Sequence, residues 1–416
     1  MVSTVARGLS AVSPEWRVVL SGARTLFDPE ALRRSQSLSP RLDWERVVEI
    51  AWPHRVAPIL YSAFGRTVPG IPKRVLRRLE RGYVATAARN ALLFRALREI
   101  LEALAAAGVP AIALKGAMLA DTVYRERALR PMSDIDLLIH EQDLDLAERR
   151  LRGIGYESMH DAETKAELRR RHHHWVFRRP TLSGIPLEPH WLLHPPDSPF
   201  RVDTAALWQR AVPTRIAGVD ALGLSAEDLL LHLCTHGARH RFNGGLLFLV
   251  DIAAAITHYG DRIDWARLEA RAAEWGAGPH VSVALRLASE LLGAGVPART
   301  LEKLRPSSPD DDLIDLARER VLEEKGPLRK AAELRLRWRE SGSRERRDAL
   351  RRVLRPAAMN GNGSAKTPLP VPVGERIGRF LPLTWTLLRH PRAVAAIVRR
   401  EAKKSRLDSW CSEARE

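Results

Sequence analysis

Two cysteines, Cys234 in an apolar run and Cys411 near the end, are all that 416 residues contain. They are too few and too far apart in sequence for a disulfide framework or a cysteine-built zinc site, and they fit a reducing compartment. No apolar run approaches the roughly 20 residues of a membrane span, and Met1 to Pro14 lacks the uninterrupted apolar core of a signal peptide. A soluble, cytoplasmic protein is expected. Aromatic residues make up only 6% of the chain, and the basic runs have none interleaved, which argues against base stacking there. Acidic residues are the minority charge: 67 Lys and Arg against 50 Asp and Glu leave a net charge of +17. That surplus attracts polyanions such as nucleotides, nucleic acid or acidic headgroups. Arginine richness also follows from high-GC coding, so nucleic acid stays an open partner without being the favoured one.

What is present is a chain of 45% hydrophobic residues, long enough for two or three folded domains with a sizeable core. Its chemistry concentrates between Leu114 and Glu188. Asp134 and Asp136 flank Ile135 and lead into the apolar run Leu137 to Ile139, which predicts a strand entering a buried sheet. Side chains two apart on a strand share one face, about 7 Å apart. Two carboxylates so placed raise each other's pKa unless a cation sits between them, and a hard divalent ion with oxygen ligands, Mg²⁺ first, answers that need. Taken alone, an Asp-x-Asp pair reads as a solvated strand end.

Context adds to the pair. The apolar run Ala111 to Leu114 ends in Lys115-Gly116, followed by a predicted helix from Ala117 to Tyr124. A glycine at a helix start lets a phosphate approach free backbone N–H groups, and the helix dipole favours the anion. A third acid, Glu188, stands on a later extended segment, Leu187 to Leu193. Pro189 beside it lacks a backbone donor, which predicts an edge strand or a bulge.

Leu114-Lys115-Gly116, Arg130 through Leu138, and Glu188-Pro189-His190-Trp191, in that order and spacing, resemble the nucleotidyltransferases of the DNA polymerase β-like superfamily, and most closely a largely uncharacterised bacterial branch of it. The resemblance runs from about Asp43 to Pro297. It implies an α+β fold: a small mixed-sheet core flanked by N- and C-terminal helical regions. It also implies transfer of a nucleoside monophosphate from a nucleoside triphosphate to an acceptor, with release of pyrophosphate. Asp134, Asp136 and Glu188 would hold one or two Mg²⁺ ions. Lys115, Gly116, Ala117, Arg130 and Ser133 would meet the nucleotide, and His190, His236, His240 and Asp251 are second-tier candidates for the acceptor side. His236, His240 and Asp251 read equally as a structural cluster between helices. The superfamily's Gly-Ser is Gly116-Ala117 here, so no serine hydroxyl stands at that place. With the proline beside Glu188, this departure supports an alternative, a catalytically silent nucleotide-binding adaptor. The acceptor, whether small molecule, peptide or protein, is not specified.

The rest of the chain frames this core. Ser13-Pro14-Glu15 and Asp43-Trp44 predict helix starts, Val68-Pro69-Gly70-Ile71-Pro72 a turn, and Leu93, Leu97, Ile100, Leu101 and Leu104 a long helix ended by Gly108. Arg89-Asn90 on it reads as a polar pair facing solvent. His172-His173-His174 reads as a loop or strand edge, since consecutive extended residues point to alternate faces and do not converge on one ion. Ser225 to Asp228 is a capping pattern; His232 and His236 beyond it have zinc-compatible spacing without the glutamate of a hydrolase motif. The expected layout is a helical region over 1–108, the nucleotidyltransferase core over 109–215, a helical domain over 216–355, a linker over 356–374 and a basic helical tail over 375–416. The tail packs back on the protein or lies on an anionic membrane surface.

Overall fold

The computed structural model describes residues 12–32, 42–67, 71–182, 184–305, 311–323 and 405–412. The turn residues 68–70, the basic run through Arg355, the linker over 356–374 and the tail up to residue 404 lie outside them. Two compact units divide the chain, Met1–Glu323 with Ser409–Glu416, and Glu324–Asp408. The first carries the sheet and the helices described below.

Local capping chemistry starts the helices where the sequence predicts. The Ser13 side chain accepts from the Trp16 N–H at the head of Pro14–Arg24, and Asp43 accepts from Arg46 at the head of Trp44–Ala51. Both satisfy donors that a helix start leaves orphaned. The long helix spans Lys73–Ala105 and buries Leu93, Leu97, Ile100, Leu101 and Leu104. Gly108, at φ +69°, turns the chain away, a backbone state that costs glycine little. Asn90 does not face solvent. It is 1% exposed and donates to the carbonyls of Arg127 and Arg130 at 2.6 and 2.8 Å, because the segment ahead of Asp134 crosses over the helix at that point.

One seven-stranded mixed sheet follows: β1 (Ile112–Ala113), β2 (Ile135–Leu138), β3 (Glu157–Ser158), β4 (Phe177–Arg178), β5 (Pro186–His190), β6 (Val212–Ile216) and β7 (Val219–Gly223). Its spatial order is β3-β4-β5-β2-β1-β7-β6. β2 lies at the centre, parallel to β5 and antiparallel to β1. Ile135, Leu137 and Leu187 are completely buried, so alternation along β2 and β5 puts the acids on the opposite face.

β5 is an interior strand, contrary to what Pro189 predicts. The sheet accommodates the proline by interrupting a ladder: β4 pairs with β5 over two residues, and contact resumes at an isolated bridge between His174 and His190. Between them the Pro189 carbonyl accepts from the Trp175 N–H at 3.1 Å. The missing proline donor removes only the return bond.

Behind this core the helices Ala226–Arg239, Leu247–Tyr259 and Gly278–Leu292 pack on one another. Cys234 and Cys411 are both buried. Among the described residues no helix is long and apolar enough to cross a membrane.

Candidate active site

Parallel register sets Asp136 of β2 directly beside Glu188 of β5, and Leu138 beside His190. Neighbouring strands lie about 4.8 Å apart, so Asp136, Glu188 and His190 share one face of the sheet. Asp134, two residues before Asp136, joins them from the open end of β2, with the Ser133 hydroxyl donating to its Oδ2 at 3.0 Å. Asp136 is the buried member. Its Oδ2 lies 3.1 Å from Lys115 Nζ and its Oδ1 3.2 Å from His190 Nε2.

The three carboxyl groups titrate differently because they crowd one another. Burial works against ionisation of Asp136, but Lys115 and His190 outweigh it and hold this carboxyl well below the usual range. Burial and then the Asp136 charge push Asp134 up. Glu188 is pushed up to about 7 by burial, then by Asp136 and Asp134. Like charges this close call for a compensating cation. An all-oxygen donor set of this kind suits a hard divalent ion.

The turn opposite is made by Lys115, whose φ of +35° is unusual for a residue with a side chain, a strain that functional turns concentrate. The short helix Lys115–Met118 continues as a π-turn over Leu119–Val123, with the Thr122 hydroxyl donating to the Met118 carbonyl at 2.8 Å. Gly116 is buried, and a Cβ there would stand 2.7 Å from Arg130 Nη1. Its missing side chain thus makes room for the Arg130 guanidinium. Ala117 is buried in the same turn.

Arg130 and Asp251 form a two-pronged buried pair, Nε to Oδ1 at 3.0 Å and Nη2 to Oδ2 at 2.8 Å. Tyr124 donates its hydroxyl to the same Oδ1 at 2.7 Å. Asp251 therefore anchors the helix Leu247–Tyr259 to the motif loop, while His236 and His240 pair with each other at 4.4 Å between ring centroids. Burial and then the Lys115 charge lower the His236 pKa.

Some contributors carry no distinctive sequence signal. Arg55, after a helix end, donates to the Pro131 carbonyl at 2.9 Å. Arg89 is exposed, as its reading from the sequence has it, and also donates to the carbonyls of Met132 and Ser133 at 3.0 and 2.8 Å. Together they clamp the loop that delivers Asp134. The three consecutive histidines do converge: the donor atoms of His172, His173 and His174 lie within 4.8 Å of one another. A bend at His173, between extended His172 and the bridge at His174, breaks the strict alternation. His174, Glu188 and His190 form a second such group. His232 and His236 belong to neither.

A seven-stranded mixed sheet flanked by helices is consistent with an α+β nucleotidyltransferase core. The chain belongs to the family described as uncharacterised nucleotidyltransferase, which matches residues 40–293. No curated protein and no solved structure matches it.

Proposed function

We infer that the protein moves a nucleoside monophosphate from a nucleoside triphosphate to an acceptor hydroxyl, with Asp134, Asp136 and Glu188 as the catalytic acids. The observation that carries this reading is the register pairing of Asp136 with Glu188, with Asp134 on the same face. The acceptor oxygen forms a bond to the α-phosphorus, the bond to the β-phosphate bridge breaks, and pyrophosphate leaves. Glu188 either completes the metal site or takes the acceptor proton as general base. Lys115 offsets charge on the phosphates, and the Gly116 turn receives them. A bound divalent cation, Mg²⁺ or a relative, would be held by the three acids and would stabilise the attacking and leaving oxygens. Residues 109–215 would carry the donor, and the helical region from 216, with His236 and His240, the acceptor side. His190, hydrogen-bonded to Asp136, positions that carboxylate.

Incubation with each α-labelled nucleoside triphosphate and a fractionated cell extract tests the reading. Label transfer and pyrophosphate release are expected, and both vanish in Asp136→Asn with the circular dichroism spectrum kept. Undiminished turnover in that variant would remove Asp136 from the mechanism.

A second reading, a silent nucleotide-binding adaptor, draws support from Gly116-Ala117, which offers no hydroxyl, and from Arg130, whose guanidinium is held by Asp251. Triphosphate binding without pyrophosphate release from any fraction would favour it.

A further inference from the structure

The acids of this cleft share their space with imidazoles. Glu188 Oε2 lies 3.6 Å from His174 Nε2 and 3.8 Å from His190 Nε2. The donor atoms of His174, Glu188 and His190 all fall within 4.8 Å of one another. Asp136 Oδ1 lies 3.2 Å from the same Nε2, a hydrogen bond whose proton a bound metal ion would displace. Lys115 pairs with the other oxygen, Oδ2.

The 3.6 Å separation of Glu188 Oε2 and His174 Nε2 is that of two ligands on one ion, and the 3.8 Å to His190 Nε2 stands slightly beyond it. Arms of about 2.0–2.2 Å at tetrahedral angles hold donor atoms about 3.3–3.6 Å apart, the spacing of a site with nitrogen and oxygen ligands. Mg²⁺, with octahedral arms of about 2.0–2.1 Å, asks for about 2.9 Å and for oxygen alone. A metal-bound histidine is normally oriented through its other nitrogen. His174 meets that requirement, because its Nδ1 stands 3.3 Å from His173 Nε2; the tautomer with its proton on Nδ1 offers the Nε2 lone pair to a metal. Two carboxylates could hold Mg²⁺ without any imidazole. The histidines are surplus to that purpose and are built in from two elements, the bridge residue His174 and strand β5.

We propose that His174, His190 and Glu188, with Asp136 beside them, bind a nitrogen-seeking divalent transition ion of the Zn²⁺ or Co²⁺ class. This rests on the nucleotidyltransferase reading and refines its metal. Divalent ions of that series bind mixed nitrogen and oxygen sites more tightly than Mg²⁺ does.

The test uses tag-free, full-length protein stripped with a chelator and titrated calorimetrically with Co²⁺ and, separately, Mg²⁺. Visible absorption of the Co²⁺ form reports nitrogen ligation directly. Co²⁺ is expected to bind at least about tenfold more tightly than Mg²⁺, and His174→Ala to weaken Co²⁺ by about tenfold or more while leaving Mg²⁺ within about twofold. His174 is partly exposed, with a side-chain accessibility of 17%, so this variant avoids a void in the core; His190→Ala, made at a buried position, is accepted only with an unchanged melting curve. Co²⁺ affinity or absorption unaltered in His174→Ala overturns the inference while leaving Mg²⁺ binding and the transferase reading intact. Equal loss of Co²⁺ and Mg²⁺ in that variant also overturns it. Failure of both ions to bind the unaltered protein removes the shared metal site and the transferase reading with it.

Discussion

At the scale of single residues, the site is organised by one buried ion pair as much as by its acids. Arg130 and Asp251 satisfy each other through two hydrogen bonds, and Tyr124 completes the carboxylate. Removing one member of a buried pair leaves the other charged and unpartnered, a loss of about 3–5 kcal/mol. Asp251→Ala should therefore lower stability by that amount in chemical denaturation and weaken triphosphate binding through the displaced motif loop. A change under about 1 kcal/mol would show that the pair is solvent-compensated. Gly116 makes a separable prediction. A methyl group 2.7 Å from Arg130 Nη1 forces one of the two to move, and overpacking of this kind costs about 1–3 kcal/mol. Gly116→Ala should thus be destabilised, and the loss should shrink in an Asp251→Ala background, where Arg130 is free to shift; additive losses would mean the clash is relieved elsewhere.

At the scale of elements, legibility followed local chemistry. The helix starts at Ser13, Asp43 and Ser225 and the end at Gly108 were readable because a cap acts within four residues of itself. β2 was readable from its apolar run and its two acids. The helix Ala162–Arg171 was not, because it buries none of its residues. It rides on cations: Lys165 and Arg169 stand over the Trp175 ring at 5.1 and 4.9 Å, and Lys165 reaches Glu148 at 2.5 Å. Without an apolar stripe, periodicity has nothing to report. The β6–β7 hairpin escaped for another reason. Its two-residue turn holds Ala217 at φ +54° and Gly218 at φ +81°, where Asn-Gly would be the usual signal; Asp121 accepts from the Ala217 N–H at 2.7 Å and steadies the turn. The partner of Arg130 was invisible for the same physical reason as the convergence of His174 and Glu188, since both contacts join distant parts of the chain.

The helix Ala226–Arg239 and the segment leading to it also set the acid limit of the fold. His194 is 5% exposed, and burial, followed by the charges of Arg239 and Lys115, lowers its pKa to about 3. His232 is held well below its ordinary value by burial first and Lys115 second. The unfolded chain takes up these protons near 6.5 and the folded chain does not. The unfolded state thus binds more protons below pH 6.5, so stability falls as pH drops from there and levels off, for His194, below about 3. Each such histidine steepens the decline by up to about 1.4 kcal/mol per pH unit. His194→Gln should flatten the stability curve between pH 6.5 and 5 in urea titrations. A parallel curve would show that His194 is protonated in the folded state.

At the scale of the whole molecule, charge and cleft point to the same class of ligand. A net charge of +17 draws in polyanions, and Lys115 stands 3.1 Å from Asp136 among the acids. The attraction is screened at ordinary salt, so affinity for nucleotide should fall as ionic strength rises. The direct test is calorimetric titration of the purified protein with each nucleoside triphosphate, with and without a divalent cation, beside the Asp134→Asn/Asp136→Asn double variant. The account predicts binding that needs the cation and disappears in the double variant. Binding that is indifferent to the cation or survives loss of both aspartates would contradict it, as would no binding of any triphosphate.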